Sequence, residues 1–357
     1  MRVTHFTDAM GTGGELFGKE RVIRLLMRAQ RDAGLDARLI TFAPSPLGKL
    51  MRADGFEVVE LEDAHRRLPT RAIGPLRAAL AAAPPDALHT HGYKANIIAR
   101  AARLLRARIK RHVATCHGWF PEVEKYNKLD RATARFSELV TVTDPGMLAK
   151  FPKGTNAVYV ANGIPDAPAA DTAMRDEARR ALGFEGTFVV GTLCRATETK
   201  GVLDVLECAR RTQGEPMIWA LAGGGPLADR LRAEAPPNAR YLGHLDDPSG
   251  YRAALDVYLQ ASYIEGLSLS LLENMRDARA IVATDVAATS LVIDDGVDGT
   301  LIRPGDIEGT IAAVRRMRDE PGFAARAAAN ARARFEREFL IERQHEAFLR
   351  SYSGEPV

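Results

Sequence analysis

Residues 162–173 read NGIPDAPAADTA, with Gly163, Pro165 and Pro168 set among small residues. Such a composition favours turns over regular structure and marks a linker. It decides the fold, because one pattern runs up to it and the same pattern restarts beyond it. Upstream, strand-like runs RVTHFT (2–7), ARLITF (37–42), FEVVEL (56–61), DALHTH (86–91), RHVATC (111–116), ELVTVT (138–143) and NAVYVA (156–161) are spaced by helical patterns. The helical patterns are residues 15–34, ending at Gly34, residues 94–107, and the 120s and 130s. Downstream, strands are expected at 187–193, 217–223, 239–243, 256–261 and 280–286. Helices are expected at 201–211, 226–235 and 269–275, with a closing helical series from about Ile307 to Tyr352. Alternation of β and α in this way predicts parallel sheets covered by helices. The expected architecture is α/β: two doubly wound, Rossmann-like domains with a cleft between them, ligands lying beyond the carboxyl ends of the strands.

A length of 357 residues agrees with two domains. Apolar residues make up 46% and charged residues 27%, a soluble globular composition that excludes a disordered or collagen-like chain. Cys116, Cys194 and Cys208 form no C-x-x-C pair, which argues against a disulfide framework or zinc ribbon. The N-terminus lacks a signal pattern and no run approaches 18 apolar residues. The expected location is cytoplasmic, or peripheral at the inner face of the plasma membrane. Charge is uneven: residues 1–165 carry 26 Lys/Arg against 16 Asp/Glu, and residues 166–357 carry 23 against 30. Basic residues recur through 66–77 and 100–111, a face suited to an anionic membrane or acceptor. Without aromatic interleaving or a helix-turn-helix, nucleic acid is not an expected partner.

The chemistry-bearing clusters all follow expected strands. The turn 11-GTGGE-15 departs from the dinucleotide fingerprint, since Leu16 stands where a third glycine belongs, and no Gly-Lys-Ser/Thr makes it a P-loop. It remains a tight turn able to bring amides near a phosphate or sugar. In 195-RATETKG-201 two cations open a helix, a combination that can clamp a diphosphate. The segment 222-AGGGP-226 is a sharp turn that permits close approach of a ligand. His89 and His91 at i, i+2, with no nearby carboxylate, make a poor metal site, and His89 reads as a satisfied buried histidine. His117, beside Gly118 at a strand end, is the better candidate for touching a ligand.

In 265-EGLSLSLLE-273 two glutamates flank an apolar, hydroxyl-bearing run. A helix from Gly266 would leave its first-turn amides without intrahelical partners. It would also set Glu273 about 12 Å from Glu265 at roughly 1.5 Å per residue. That exceeds the roughly 5–9.5 Å of a hydrolytic carboxylate pair and suits an elongated ligand instead.

Together these pieces resemble the retaining GT-B glycosyltransferases of family 4 over nearly the full chain. The resemblance rests on 13-GGE-15, 117-HGW-119, 161-ANGIP-165, 195-RATETKG-201, 222-AGGGP-226, EGLSLSLLE, 284-TDV-286 and 295-DGVDGTLIRPGD-306. It implies an acceptor-side domain at 1–165, a nucleotide-sugar domain at 166–338 and a C-terminal helix, 339–357, packing back on the first. It further implies catalytic roles for His117, Arg195, Lys200 and Glu265. Gly13, Gly14, Gly223, Gly225, Gly266, Leu267, Ser268 and Glu273 would bind the donor. Arg195 and Lys200 would neutralise the diphosphate, Glu265 would face the sugar and Glu273 would hold the ribose. The co-substrate is then a nucleoside-diphosphate sugar, the acceptor a saccharide or lipid-linked saccharide, with no metal and no further cofactor expected.

The chain departs from the family pattern after the second glutamate. Asn274, Arg276, Ala278 and Ala280 replace the usual Ala, Ala, Gly and Pro; Ala287-Ala288 replace a Gly pair, and Leu291 replaces an acid. An epimerase on the same architecture and a catalytically degenerate partner protein are the competing readings.

Overall fold

The structure, a computed structural model, describes residues 1–8, 16, 18–61, 69–118, 123–286 and 288–357. Gly13 and Gly14, and with them the expected N-terminal glycine turn, lie outside these, as do Trp119 and Ala287. The chain forms two compact units: unit 1 comprises Met1–Pro165 with Leu340–Val357, and unit 2 comprises Asp166–Phe339.

Unit 1 is built on seven strands, β1 Arg2–Thr7, β2 Asp36–Thr41, β3 Val58–Glu60, β4 Ala87–His91, β5 His112–Cys116, β6 Leu139–Val142 and β7 Ala157–Tyr159. Their order is β3-β2-β1-β4-β5-β6-β7 and every pairing is parallel. Unit 2 has six, β8 Phe188–Leu193, β9 Met217–Ala222, β10 Ala239–Gly243, β11 Val257–Gln260, β12 Ala280–Thr284 and β13 Thr300–Ile302. Their order is β10-β9-β8-β11-β12-β13, again all parallel. The order reverses at β1/β4 in unit 1 and at β8/β11 in unit 2, and such switch points open a crevice at the strands' carboxyl ends.

Helices on both faces bury the central strands, which therefore read as continuous apolar runs such as AIVAT in β12. In unit 2, Trp219 is fully buried among Leu206, Leu231 and Val314, and its indole donates to Thr212 Oγ1 at 2.8 Å. Unit 1 breaks the apolar rule: β1 and β4 place His5, His89 and His91 in its interior. The terminal helix Ile341–Ser353 closes this unit, with Phe348 and Tyr352 packing beside Val3, Leu26 and Val113. Gly163 permits that approach, since a Cβ there would lie 2.7 Å from the Leu340 carbonyl oxygen.

Several helices escaped the sequence pattern. Pro46–Ala53 is announced by Ser45, whose hydroxyl accepts from the Gly48 amide, and by Pro46 at its first position. Thr172–Leu182 begins inside the stretch read as linker, because Asp171 caps it by accepting from Met174 N at 2.8 Å. Ile73–Ala82, overlapping the end of the basic stretch 66–77, and the short Ser249–Ala254 were also not expected.

Candidate active site

Three loops meet at the carboxyl end of the β8/β11 switch point, and backbone contacts knit them together. The Ala196 amide donates to Gly224 O at 2.8 Å, Leu227 N to Ala196 O at 3.1 Å and Tyr263 N to Thr199 O at 2.9 Å. Glycine is required where they touch. A Cβ on Gly223 (φ +124°) would stand 1.9 Å from Cys194 O, and one on Gly201 (φ +65°) 2.0 Å from Ala261 O. A Cβ on Gly225 (φ +151°) would stand 2.6 Å from Ala196 O. The turn at 222–226 is thus the floor on which the loop 194–200 rests, and Gly201 ends that loop as the cap of helix Val202–Arg211.

That loop carries two of the expected cations. Arg195 is exposed. Lys200 is partly buried and its Nζ lies 2.5 Å from Glu265 Oε2, while Glu265 Oε1 accepts from Ser262 Oγ at 3.3 Å. The neighbouring Cys194 thiol is pushed up to about 12 by burial, with Lys200 and Glu265 pulling in opposite directions. Lys200 and Glu265, 65 positions apart, are therefore held as a pair.

The following helix starts at Leu269, where the pattern at 269–275 puts it, and not at Gly266. Gly266, Leu267 and Ser268 are not helical; the helix is Leu269–Arg276, and Ser268 is its N-cap, accepting from Leu271 N at 3.3 Å. A serine cap outcompetes continuation of the helix toward Gly266 because its hydroxyl satisfies a first-turn amide. The first-turn amides without an intrahelical acceptor thus belong to Leu269 and Ser270. The distance argument built on a helix through all of 266–273 falls with it. Glu273 sits inside the helix, buried, with its Oε2 3.5 Å from Arg252 Nη1, while Arg252 Nε donates to Asp277 Oδ2 at 2.7 Å. The structure joins Glu265 to Lys200, and Glu273 to a different, interior set of charges.

In unit 1 the ends of β1, β4 and β5 deliver Asp8, Gly92 and His117. Asp8 is buried between two lysines: Lys19 Nζ is 2.6 Å from Oδ1 and Lys94 Nζ 3.5 Å from Oδ2. Gly92 (φ +86°) turns the chain into helix Tyr93–Leu104, where Tyr93 stacks on Tyr126 at 5.5 Å between ring centres.

His117 is half-buried and heads a chain of hydrogen bonds into the core. Its Nε2 lies 3.1 Å from His91 Nδ1, His91 Nε2 lies 2.9 Å from His5 Nδ1, and His5 Nε2 lies 2.7 Å from Gln30 Oε1. Gln30 Nε2 donates to the Tyr352 hydroxyl at 3.0 Å. That hydroxyl meets His89 Nδ1 at 2.7 Å, and His89 Nε2 meets Thr115 Oγ1 at 2.6 Å. Burial lowers every imidazole in the chain: His5 to about 4, His117 to about 3 with Lys19 assisting, and His89 and His91 well below the ordinary value. Ring nitrogens of His5, His89 and His91 come within 4.8 Å of one another, close enough for a metal. Yet each of those nitrogens already has a hydrogen-bond partner, so the set is complete as a polar network. His89 is the satisfied buried histidine its sequence position implied.

Sequence reasoning missed Ser262, Asp8, Lys19, Lys94, His5, Gln30 and Tyr352. Asp8 was findable as the residue directly after β1. Gln30 and Tyr352 gave no local signal, being 322 positions apart.

Two family descriptions match the chain: "Glycosyl transferase 4-like domain" over residues 17–163 and "Glycosyl transferases group 1" over residues 187–320. Among curated relatives, the lipopolysaccharide core biosynthesis mannosyltransferase LpsB of Rhizobium meliloti is 30% identical over 203 residues, 50% of this chain and 56% of that protein. The core biosynthesis glycosyltransferase LpsE of the same organism is 27% identical over 174 residues, 47% of each chain. The chain thus spans about half the length of the curated relatives it matches. Among solved structures, Anabaena HepE in complex with UDP-glucose superposes with a TM-score of 0.86 at 18% identity, covering 99% of this chain and 100% of that one. This shows the GT-B fold.

Proposed function

Because the chain belongs to the group 1 glycosyltransferases, we propose that it moves a glycosyl unit from a nucleoside-diphosphate sugar to a saccharide or lipid-linked acceptor in cell-surface glycan synthesis. The transfer retains the anomeric configuration and needs no metal. The observation that carries this reading is Lys200, held at 2.5 Å from Glu265 on a loop locked in place by Gly201, Gly223 and Gly225. The relatives named for lipopolysaccharide core synthesis support the glycan setting.

In this mechanism the acceptor hydroxyl attacks the anomeric carbon from the side on which the diphosphate departs. The C–O bond to the diphosphate breaks, its electron pair passes to the phosphate oxygen, and that oxygen takes the acceptor proton. Negative charge grows on the leaving group, so the side chains of Arg195 and Lys200 and the amides of Leu269 and Ser270 stabilise the transition state more than the ground state. Glu265 holds Lys200 in place and faces the sugar. His117 touches the sugar.

A basic surface on unit 1 supports contact with an anionic membrane or acceptor. Arg71, Arg77, Arg106, Arg108 and Lys110 are exposed, and Leu104 and Leu105 stand 64% and 54% open beside them. No helix among the described residues is long and apolar enough to cross a membrane.

Thermal shifts with UDP, GDP, ADP and dTDP test the donor site, since a tight ligand raises the melting temperature by mass action. One nucleoside diphosphate should stabilise the chain, and its sugar conjugate should release it in the presence of an acceptor whether or not EDTA is added. No stabilisation by any of the four contradicts the reading, and activity lost with EDTA contradicts its metal-free form.

A further inference from the structure

The chain of imidazoles ending at His117 is more than packing, because each link constrains the next. A neutral imidazole has one N–H and one lone pair, so a hydrogen bond at one nitrogen dictates the role of the other. Gln30 sets the direction. Its amide nitrogen points to Tyr352 and its oxygen to His5, so His5 must carry its proton on Nε2. His5 Nδ1 is then an acceptor and takes the proton of His91 Nε2. His91 Nδ1 in turn accepts from His117 Nε2. The other arm runs the same way: Tyr352 donates to His89 Nδ1 and His89 Nε2 donates to Thr115. His117 Nδ1 has no partner among the described residues, and the residue is partly open to solvent.

We propose that Gln30, His5 and His91 act as positioning residues that fix the proton of His117 on Nε2, so that His117 presents a bare Nδ1 and accepts a hydrogen bond from a saccharide hydroxyl. A phosphate or carboxylate oxygen, which has no proton to give, is the wrong partner for that atom. The choice of a sugar hydroxyl rests on the transferase reading; the proton's position does not. Among the described residues Lys19 opposes a second proton on the His117 ring, and it is paired with Asp8, which Lys94 also approaches.

The test is a two-bond proton–nitrogen correlation spectrum of the full chain with nitrogen-15 histidine, between pH 7.5 and 5. His117→Asn identifies the His117 signal. The expected result is a His117 ring with protonated Nε2 and unprotonated Nδ1 that does not titrate across this range, with His91 and His5 in the same form. A His117 ring protonated on Nδ1, or one titrating near its ordinary value, overturns the proposal. Tyr352→Phe removes both the donor to His89 and the acceptor that orients the Gln30 amide, so the His117 proton should lose its fixed place on Nε2 in that variant; a His117 ring left unchanged there would overturn the role given to Gln30. His91→Gln keeps one donor and one acceptor, whereas His91→Leu keeps neither. Turnover should fall about tenfold in the leucine variant and recover to within about threefold of wild type in the glutamine variant, a factor of ten being one lost hydrogen bond. Equal loss in both argues for a merely structural role. Of two nucleotide sugars differing only in a hydroxymethyl or a carboxylate, the hydroxymethyl form should be preferred; a preference for the carboxylate overturns the ligand assignment. Because the spectrum needs no substrate, an inactive protein would defeat the transferase reading while leaving the proton's position measurable.

Discussion

The two switch points occupy the same place in two similar sheets and are built from opposite materials. In unit 2 the β8/β11 end is made of backbone and charge: glycines pressed against carbonyls, Lys200 against Glu265, a capped helix start. In unit 1 the β1/β4 end rests on neutral polar rings buried in the sheet itself, with one compensated ion cluster around Asp8. The contrast fits a division of labour. Developing negative charge needs fixed cations and amides, whereas recognition of an uncharged group needs donors and acceptors whose orientation is decided in advance.

The comparison breaks first at glycine. Gly201→Ala puts a Cβ about 2 Å from the Ala261 carbonyl oxygen at a left-handed φ. Unit 2 should lose on the order of 4 kcal/mol in urea unfolding. Gly55 also has positive φ (+86°), but with open space around it. Its alanine variant should lose only about 1 kcal/mol, for the backbone conformation alone. Equal losses would mean that the close contact has no consequence.

Next comes charge. Lys200→Ala should lower kcat/KM roughly 10²–10³-fold, the loss typical of one transition-state donor. It also leaves Glu265 without its cation, so binding and stability should be measured on the same preparation. A loss under threefold would remove Lys200 from the chemistry.

The third break is acid. His5 is lowered to about 4 against an ordinary value near 6.5, so near pH 5 the unfolded chain binds a proton that the folded chain refuses. The stability this contributes is complete above about pH 6.5 and is lost as pH falls toward 4, roughly 3 kcal/mol for His5 alone. His89, His91 and His112 act in the same direction. The histidine of unit 2, His244, is exposed. Hydrogen exchange followed by mass spectrometry at pH 7.5 and 5 should therefore show unit 1 loosening while unit 2 holds. Parallel loosening would contradict the contrast.

The smallest effect concerns Ala278, which holds φ +50°, a conformation that favours glycine. Ala278→Gly should raise stability by about 1 kcal/mol or less, relief of strain being offset by unfolded-state entropy. A clear loss in urea would show that the methyl group is needed for packing.

The sequence made β1 to β12, their parallel arrangement and the loops at 195–201 and 222–226 legible, because periodicity and glycine placement are local signals, but not β13, whose three residues are too short to show a period. It left the start of the helix after Glu265 open between Gly266 and Leu269 because Ser268 and Ser270 both resemble helix residues and caps, and only the fold selects Ser268 as the cap. It singled out Glu273 by its spacing from Glu265 and by the family resemblance, and neither reveals Arg252, brought alongside by packing. The histidine chain was legible only in fragments. His89 and His91 were visible in one strand, but His5, Gln30 and Tyr352 join them through tertiary structure alone.

The central claim is that unit 2 grips a diphosphate through Lys200. It is tested most directly by titrating nucleoside diphosphate and the matching monophosphate, by calorimetry, into wild type and Lys200→Ala. The account predicts that wild type prefers the diphosphate by at least about tenfold, as expected for one charge-assisted contact, and that the variant loses most of that preference. An unchanged preference in a folded variant would contradict it.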